Sequence, residues 1–135
     1  MIFNGRRILV VEDQFLVALA TIDLLESLGC EVLGPATSVS DALRLVKSET
    51  LDAAVLDINL AGEVVWPVAA ELQTAGVPFL FLSALTRLIK FPEPFAAAPR
   101  LTKPVQGNLL LSSLYGILRP EVDSIAAADK VAISG

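Results

Sequence analysis

A continuous apolar run that ends on a single carboxylate, Ala53-Ala54-Val55-Leu56-Asp57, constrains this chain more than any other stretch. A strand with one face in water alternates apolar and polar side chains, whereas a strand covered on both faces is apolar throughout. The run therefore predicts a central parallel strand with helices on both sides. Asp57 then closes the strand at its carboxyl end, the edge on which open α/β sheets bind ligands. Ile58-Asn59 and a glycine-containing loop at Ala61-Gly62 come next.

The rest of the chain repeats this theme. Ile8 to Val11 forms strand one and ends in Glu12-Asp13. A helix from about Gln14 to Leu28 follows, with Asp13 suited to its positive N-terminus and Gly29 to the position past its end. Glu31 to Gly34 is a short second strand stopped by Pro35. Ser38, with Asp41 three residues on, starts a helix that reaches about Ser48. Pro67 fits the first turn of helix three, which Gly76 stops. Val77 to Leu82 is strand four, leading into Ser83-Ala84. Leu85 to Phe91 gives a brief fourth helix, halted by Pro92 and Pro94, which lack an N–H. Arg100-Leu101-Thr102 is strand five, and Val105 to Leu118 is helix five, ended by Pro120. Five strand–helix pairs predict a doubly wound, five-stranded parallel sheet with helices on both faces.

Helix one carries more apolar residues than one buried stripe needs: Phe15, Leu16, Val17, Leu19, Ile22, Leu24, Leu25 and Leu28 wrap most of it. Deep burial accounts for this, or a partner protein meeting Leu16, Val17 or Leu24.

At 135 residues the chain is read as one domain, 1–119, with an Ala-rich tail, 120–135. Mean hydropathy is high, +0.67, yet no apolar run approaches the roughly 18–20 residues of a membrane span. Only Ile8 to Val11 separates Arg6-Arg7 from Glu12, too short for a signal peptide, so a cytoplasmic protein is expected. Cys30 is the only cysteine and histidine is absent. That excludes an internal disulfide, a histidine base and a phosphohistidine on this chain. A net charge of −5 argues against nucleic acid.

In the predicted sheet every strand end opens on one edge. Glu12, Asp13, Asp57, Ser83 and Lys103 converge there. Packed carboxylates repel; two unit charges about 4 Å apart cost about 4 kcal/mol at an effective dielectric near 20. A divalent cation and Lys103 would relieve this, and hard oxygen ligands beside a phosphate are what Mg²⁺ uses. Taken singly, each feature has a plainer explanation: capping for Glu12-Asp13, an Asx-turn for Asp57, turns for Ser83 and Lys103-Pro104. Their coincidence on one edge is the signal.

Glu12-Asp13, Asp57-Ile58-Asn59, Ser83-Ala84 and Lys103-Pro104, with spacings of 44, 26 and 20 residues between Asp13, Asp57, Ser83 and Lys103, resemble the receiver domain of two-component response regulators. The resemblance spans Arg6 to Arg119 and implies a flavodoxin-like fold in a stand-alone receiver, without an attached output domain. Pro78-Phe79-Leu80-Phe81-Leu82-Ser83 is also similar to the PFxFAT opening of single-domain receivers partnered with HWE-type histidine kinases, matching at Pro78, Phe79 and Phe81.

By that resemblance Asp57 is the phosphoacceptor, charged from a phosphohistidine on a kinase or phosphotransfer protein. Asp13, Asp57 and the Asn59 carbonyl would ligate Mg²⁺, with Glu12 acting through water. Lys103 and Ser83 would bind phosphoryl oxygens, Ala84 would leave room for them, and the Lys103–Pro104 bond would be cis. The output would be a protein contact, with a homodimer among the candidates. The sequence departs from the pattern at Arg100, where the family carries an inward-swinging aromatic, and at Ala61, where proline is common. Two other readings compete. One is a receiver-shaped interaction module independent of phosphate. The other is an aspartyl-phosphate hydrolase, whose second Asp is here Asn59.

Overall fold

The computed structural model describes residues 2–84 and 89–118. The expected fourth helix falls mainly on 85–88 and the tail, 120–135, lies wholly beyond 118; both are outside the described residues. The elements run β1 (Arg7–Val11), α1 (Phe15–Ser27), β2 (Glu31–Ala36), α2 (Val39–Ser48), β3 (Ala53–Asp57), β4 (Asn59–Leu60), β5 (Glu63–Val64), α3 (Trp66–Thr74), β6 (Phe79–Ser83), β7 (Arg100–Thr102) and α4 (Gly107–Leu118), with a 3-10 turn at Glu93–Phe95. Five strands form one parallel sheet in the order β2-β1-β3-β6-β7. That is the doubly wound order with its switch point between β1 and β3.

The central strands are apolar throughout because both faces are covered. Successive side chains in a strand point to opposite faces. Leu9, Val11, Ala54, Leu56, Phe79 and Phe81 enter one core, built with Val39, Ala42 and Val46 of α2 and Val68, Ala69 and Leu72 of α3. Ile8, Val10, Ala53, Val55, Leu80 and Leu82 enter the other, against Leu25 of α1 and Leu110 and Leu114 of α4. Alternate residues of one run thus serve two cores, which no polar residue in β3 before Asp57 could do without losing its hydrogen bonds.

Several local expectations change. β2 does not stop at Pro35 but continues to Ala36 through a cis Gly34–Pro35 peptide, with a bulge opposite β1. Gly34 sits at φ +102°, and a Cβ there would lie 2.6 Å from the Val10 carbonyl oxygen. The strand continues because glycine lets it pass this point. The glycine-containing loop lies at Ala61-Gly62 as expected, and it forms the turn of a short antiparallel hairpin, β4–β5, that the sequence did not suggest. α1 is capped by Gln14, not Asp13, with no side-chain cap bond; the Asp13 carboxylate instead accepts the Ala61 N–H at 3.0 Å. Ser38 caps α2 as expected, its Oγ accepting the Asp41 N–H. α4 begins at Gly107 rather than Val105. Ile89 to Phe91 is not helical, and Pro94 lies within the 3-10 turn instead of merely ending a helix.

Val17 and Leu24 of α1 are half-buried against the second core, so two of the three residues proposed to meet a partner are packed inward. Leu16 is 75% exposed and Phe15 73%. Among the described residues, no helix is long and apolar enough to cross a membrane.

Candidate phosphoacceptor and metal site

Strand register brings the site together. Val11 lies opposite Leu56, so Glu12 and Asp13 emerge from β1 beside Asp57, the last residue of β3. Asp57 is opposite Leu82, next to Ser83 at the end of β6. Ser83 is opposite Thr102, and its carbonyl accepts the Lys103 N–H at 2.8 Å. Four strands deliver five side chains to one edge. The Lys103–Pro104 peptide is cis.

A cleft of about 510 Å³ opens there, lined by Asp13, Asp57, Asn59, Ser83, Ala84 and Lys103 among others. Glu12 lies below it, 2% exposed, and Asp57 is 5% exposed. Lys103 Nζ is 3.0 Å from Glu12 Oε1 and 3.3 Å from Asp57 Oδ2. It donates to Glu12 Oε2 at 3.2 Å and to the Gln14 side-chain oxygen at 3.0 Å. Burial pushes the Asp57 carboxyl up to about 7, and the hydrogen bond and charge of Glu12 push the same way; the Lys103 ammonium pulls against both. The Asp57 carboxyl is therefore harder to ionise than an exposed aspartate, and any added cation favours the carboxylate.

The donor set fits a hard divalent ion. Glu12, Asp13 and Asp57 each offer a carboxylate oxygen, all within 4.8 Å of one another. Glu12 Oε1 is fully buried yet makes no hydrogen bond, since Lys103 approaches it outside hydrogen-bond geometry. A buried carboxylate oxygen without a donor is costly, and a cation bound by these carboxylates would relieve that cost. Asn59 also borders the cleft, on β4.

Arg100 is exposed on β7. Its guanidinium lies 3.6 Å from the centroid of the Phe91 ring and donates to the Ala96 carbonyl. An arginine at this position thus covers an aromatic ring rather than entering the core. Phe91 packs in turn on Trp66 and Phe81.

The sequence reading overlooked Gln14 as a site residue, and gave Ala61 and Gly62 no role in the cleft. Gln14 carries no charge and reads simply as a helix start, and only its place directly after Asp13 hints at more. Ala61 adopts φ +49°, uncommon for a residue with a Cβ, and from there ties the hairpin to Asp13.

No protein-family model matches the sequence, and no curated protein does. Solved structures do. SdrG from Sphingomonas melonis Fr1 is 34% identical, with a TM-score of 0.75 over 84% of this chain and 97% of that one. The response regulator PhyR from Brucella abortus is 30% identical, with a TM-score of 0.71 over 92% of this chain. The REC domain of the PhyR response regulator from Erythrobacter litoralis is 28% identical, with a TM-score of 0.75 over 87% of this chain and 93% of that one. The chain spans about half the length of the Brucella protein, 52%.

Proposed function

This chain belongs to the receiver domains of two-component response regulators, and from that membership and its cleft we propose that it accepts a phosphoryl group on Asp57 and signals by protein contact. The observation that carries the reading is the Lys103 ammonium 3.3 Å from the Asp57 carboxylate in a cleft ringed by acids. A carboxylate that lines a cleft with a fixed cation beside it suits a nucleophile that must become a phosphate ester.

The donor we propose is a phosphohistidine on a partner kinase or phosphotransfer protein; this chain has no histidine of its own. Pro78, Phe79 and Phe81 favour an HWE-type kinase as that partner. An Asp57 oxygen attacks phosphorus, the new P–O bond forms as the P–N bond breaks, and the histidine leaves as imidazole. Lys103 pairs with one phosphoryl oxygen. The Ser83 hydroxyl donates to another, and Ala84 is small enough to leave the approach clear. Glu12, Asp13, Asp57 and Asn59 would hold Mg²⁺, which when bound neutralises charge on the phosphoryl oxygens. The phosphate adds nearly two negative charges to an already acidic pocket, and the shift of Ser83 and Lys103 toward it is the signal.

Acetyl phosphate with Mg²⁺ should add one phosphate by intact mass, and Asp57→Asn should abolish the gain. A wild-type protein that takes up no phosphate from acetyl phosphate or from any phosphohistidine donor sinks the reading. One observation favours the phosphate-independent module instead: Arg100 stacks on Phe91 where the family carries a swinging aromatic. In that case Asp57→Asn should leave partner binding intact.

A further inference from the structure

An ammonium has three protons to give, and Lys103 Nζ has four oxygens within 3.3 Å: both of Glu12, one of Asp57 and the side-chain oxygen of Gln14. Only two of these contacts have hydrogen-bond geometry. The shorter, at 3.0 Å, goes to Gln14, and the other, at 3.2 Å, to Glu12 Oε2. Gln14 also donates its backbone N–H to that same Glu12 oxygen at 3.1 Å. Glu12, Gln14 and Lys103 thus close a ring of hydrogen bonds at the cleft, which Gln14 lines.

Three of the four acceptors are carboxylate oxygens. Gln14 is the neutral one, and the exposed one. An ammonium is held more strongly by a carboxylate oxygen than by an amide oxygen, because only the carboxylate adds a charge–charge attraction. When a phosphoryl oxygen arrives beside Asp57, the amide is the acceptor that Lys103 gives up at least cost.

We infer that Gln14 is a positioning residue: its side-chain carbonyl holds the Lys103 ammonium in the resting protein, and phosphorylation exchanges that carbonyl for a phosphoryl oxygen. This rests on the reading that Asp57 accepts phosphate. Gln14 therefore sets how readily the lysine reaches the incoming group, and its charge sets the sign of the effect. Gln14→Met keeps the length and removes the acceptor, which frees the lysine. Gln14→Glu replaces a neutral acceptor with a charged one, which holds the lysine back.

Two measurements test this. In the metal-free protein, the Lys103 ammonium protons should exchange with water about threefold faster in Gln14→Met than in wild type, by nitrogen-detected NMR. With acetyl phosphate and Mg²⁺, an Asp57 oxygen bonds to phosphorus as the P–O bond to acetate breaks, acetate leaves with the electron pair, and no proton moves. That rate should rise about threefold or more in Gln14→Met and fall by a similar factor in Gln14→Glu. Gln14→Ala should follow the methionine variant. A merely structural glutamine would shift all variants in one direction. If wild type takes up no phosphate, the parent reading fails and this inference with it. If wild type is phosphorylated but the variants match it, or move together, the inference alone is overturned.

Discussion

At the scale of single residues the informative quantity is the protonation of Asp57. Its folded-state value of about 7, raised first by burial and then by Glu12, lies well above the roughly 3.9 of an unfolded aspartate. The folded protein therefore holds a proton that the unfolded chain releases. A raised value contributes stability that is fully present below about pH 4 and is lost as pH rises through about 7. Metal-free protein should lose on the order of a few kcal/mol between these limits, relative to an Asp57→Asn variant whose amide does not titrate. Urea unfolding of both proteins from pH 4 to pH 8 checks this. Parallel stability curves would show that Glu12 and the burial of Asp57 do not press on the carboxyl as the geometry demands. Mg²⁺ should shrink the difference, because it favours the charged form.

At the scale of elements, β2 is the tightest constraint. Gly34 combines φ +102° with a Cβ position 2.6 Å from Val10 O and 2.8 Å from Ala36 N. Both neighbours are backbone, so nothing can yield. Gly34→Ala should cost about 3 kcal/mol or more. Gly76→Ala, at φ +73° in open space, should cost only about 1 kcal/mol. Chemical denaturation midpoints of the two variants separate close approach from dihedral strain, and equal losses would overturn the contact argument. This element also marks where sequence reasoning stops. The β3 run, the Ser38 cap and the alternation of strands with helices were legible because each rests on local chemistry. Asp57, Ser83 and Lys103 could be placed on one edge from strand ends alone, since parallel register carries them there. The passage of β2 through Pro35, the β4–β5 hairpin and the engagement of Asp13 with Ala61 depend on contacts between distant segments. A carboxylate before a helix reads as a cap until a nearer N–H from another element takes it.

At the scale of the whole molecule, the two cores take in most of the large apolar side chains among the described residues but leave a ridge on α1 outside. Phe15, Leu16 and Leu19 are 73%, 75% and 45% exposed on α1, while Val17 and Leu24 turn toward the second core. The ridge begins one residue after Gln14, which lines the cleft. On the proposed phosphotransfer reading, a protein donor reaching Asp57 would pass beside it. Where an apolar ridge flanks an acidic cleft, the cleft supplies the chemistry and the ridge supplies contact area that is independent of charge. Burying one large apolar side chain in such a contact is worth about 1.5–3 kcal/mol, so Leu16→Glu should slow transfer from a partner kinase by roughly tenfold or more. The side chain makes little contact within the fold, so the melting temperature should stay near that of wild type. Labelling by acetyl phosphate should persist, because a small donor does not touch the ridge. Kinase transfer, small-donor labelling and melting measured on one variant distinguish docking from chemistry and from folding. Unchanged kinase transfer in Leu16→Glu and in Phe15→Glu would remove α1 from the docking surface and leave the ridge as surplus exposed area.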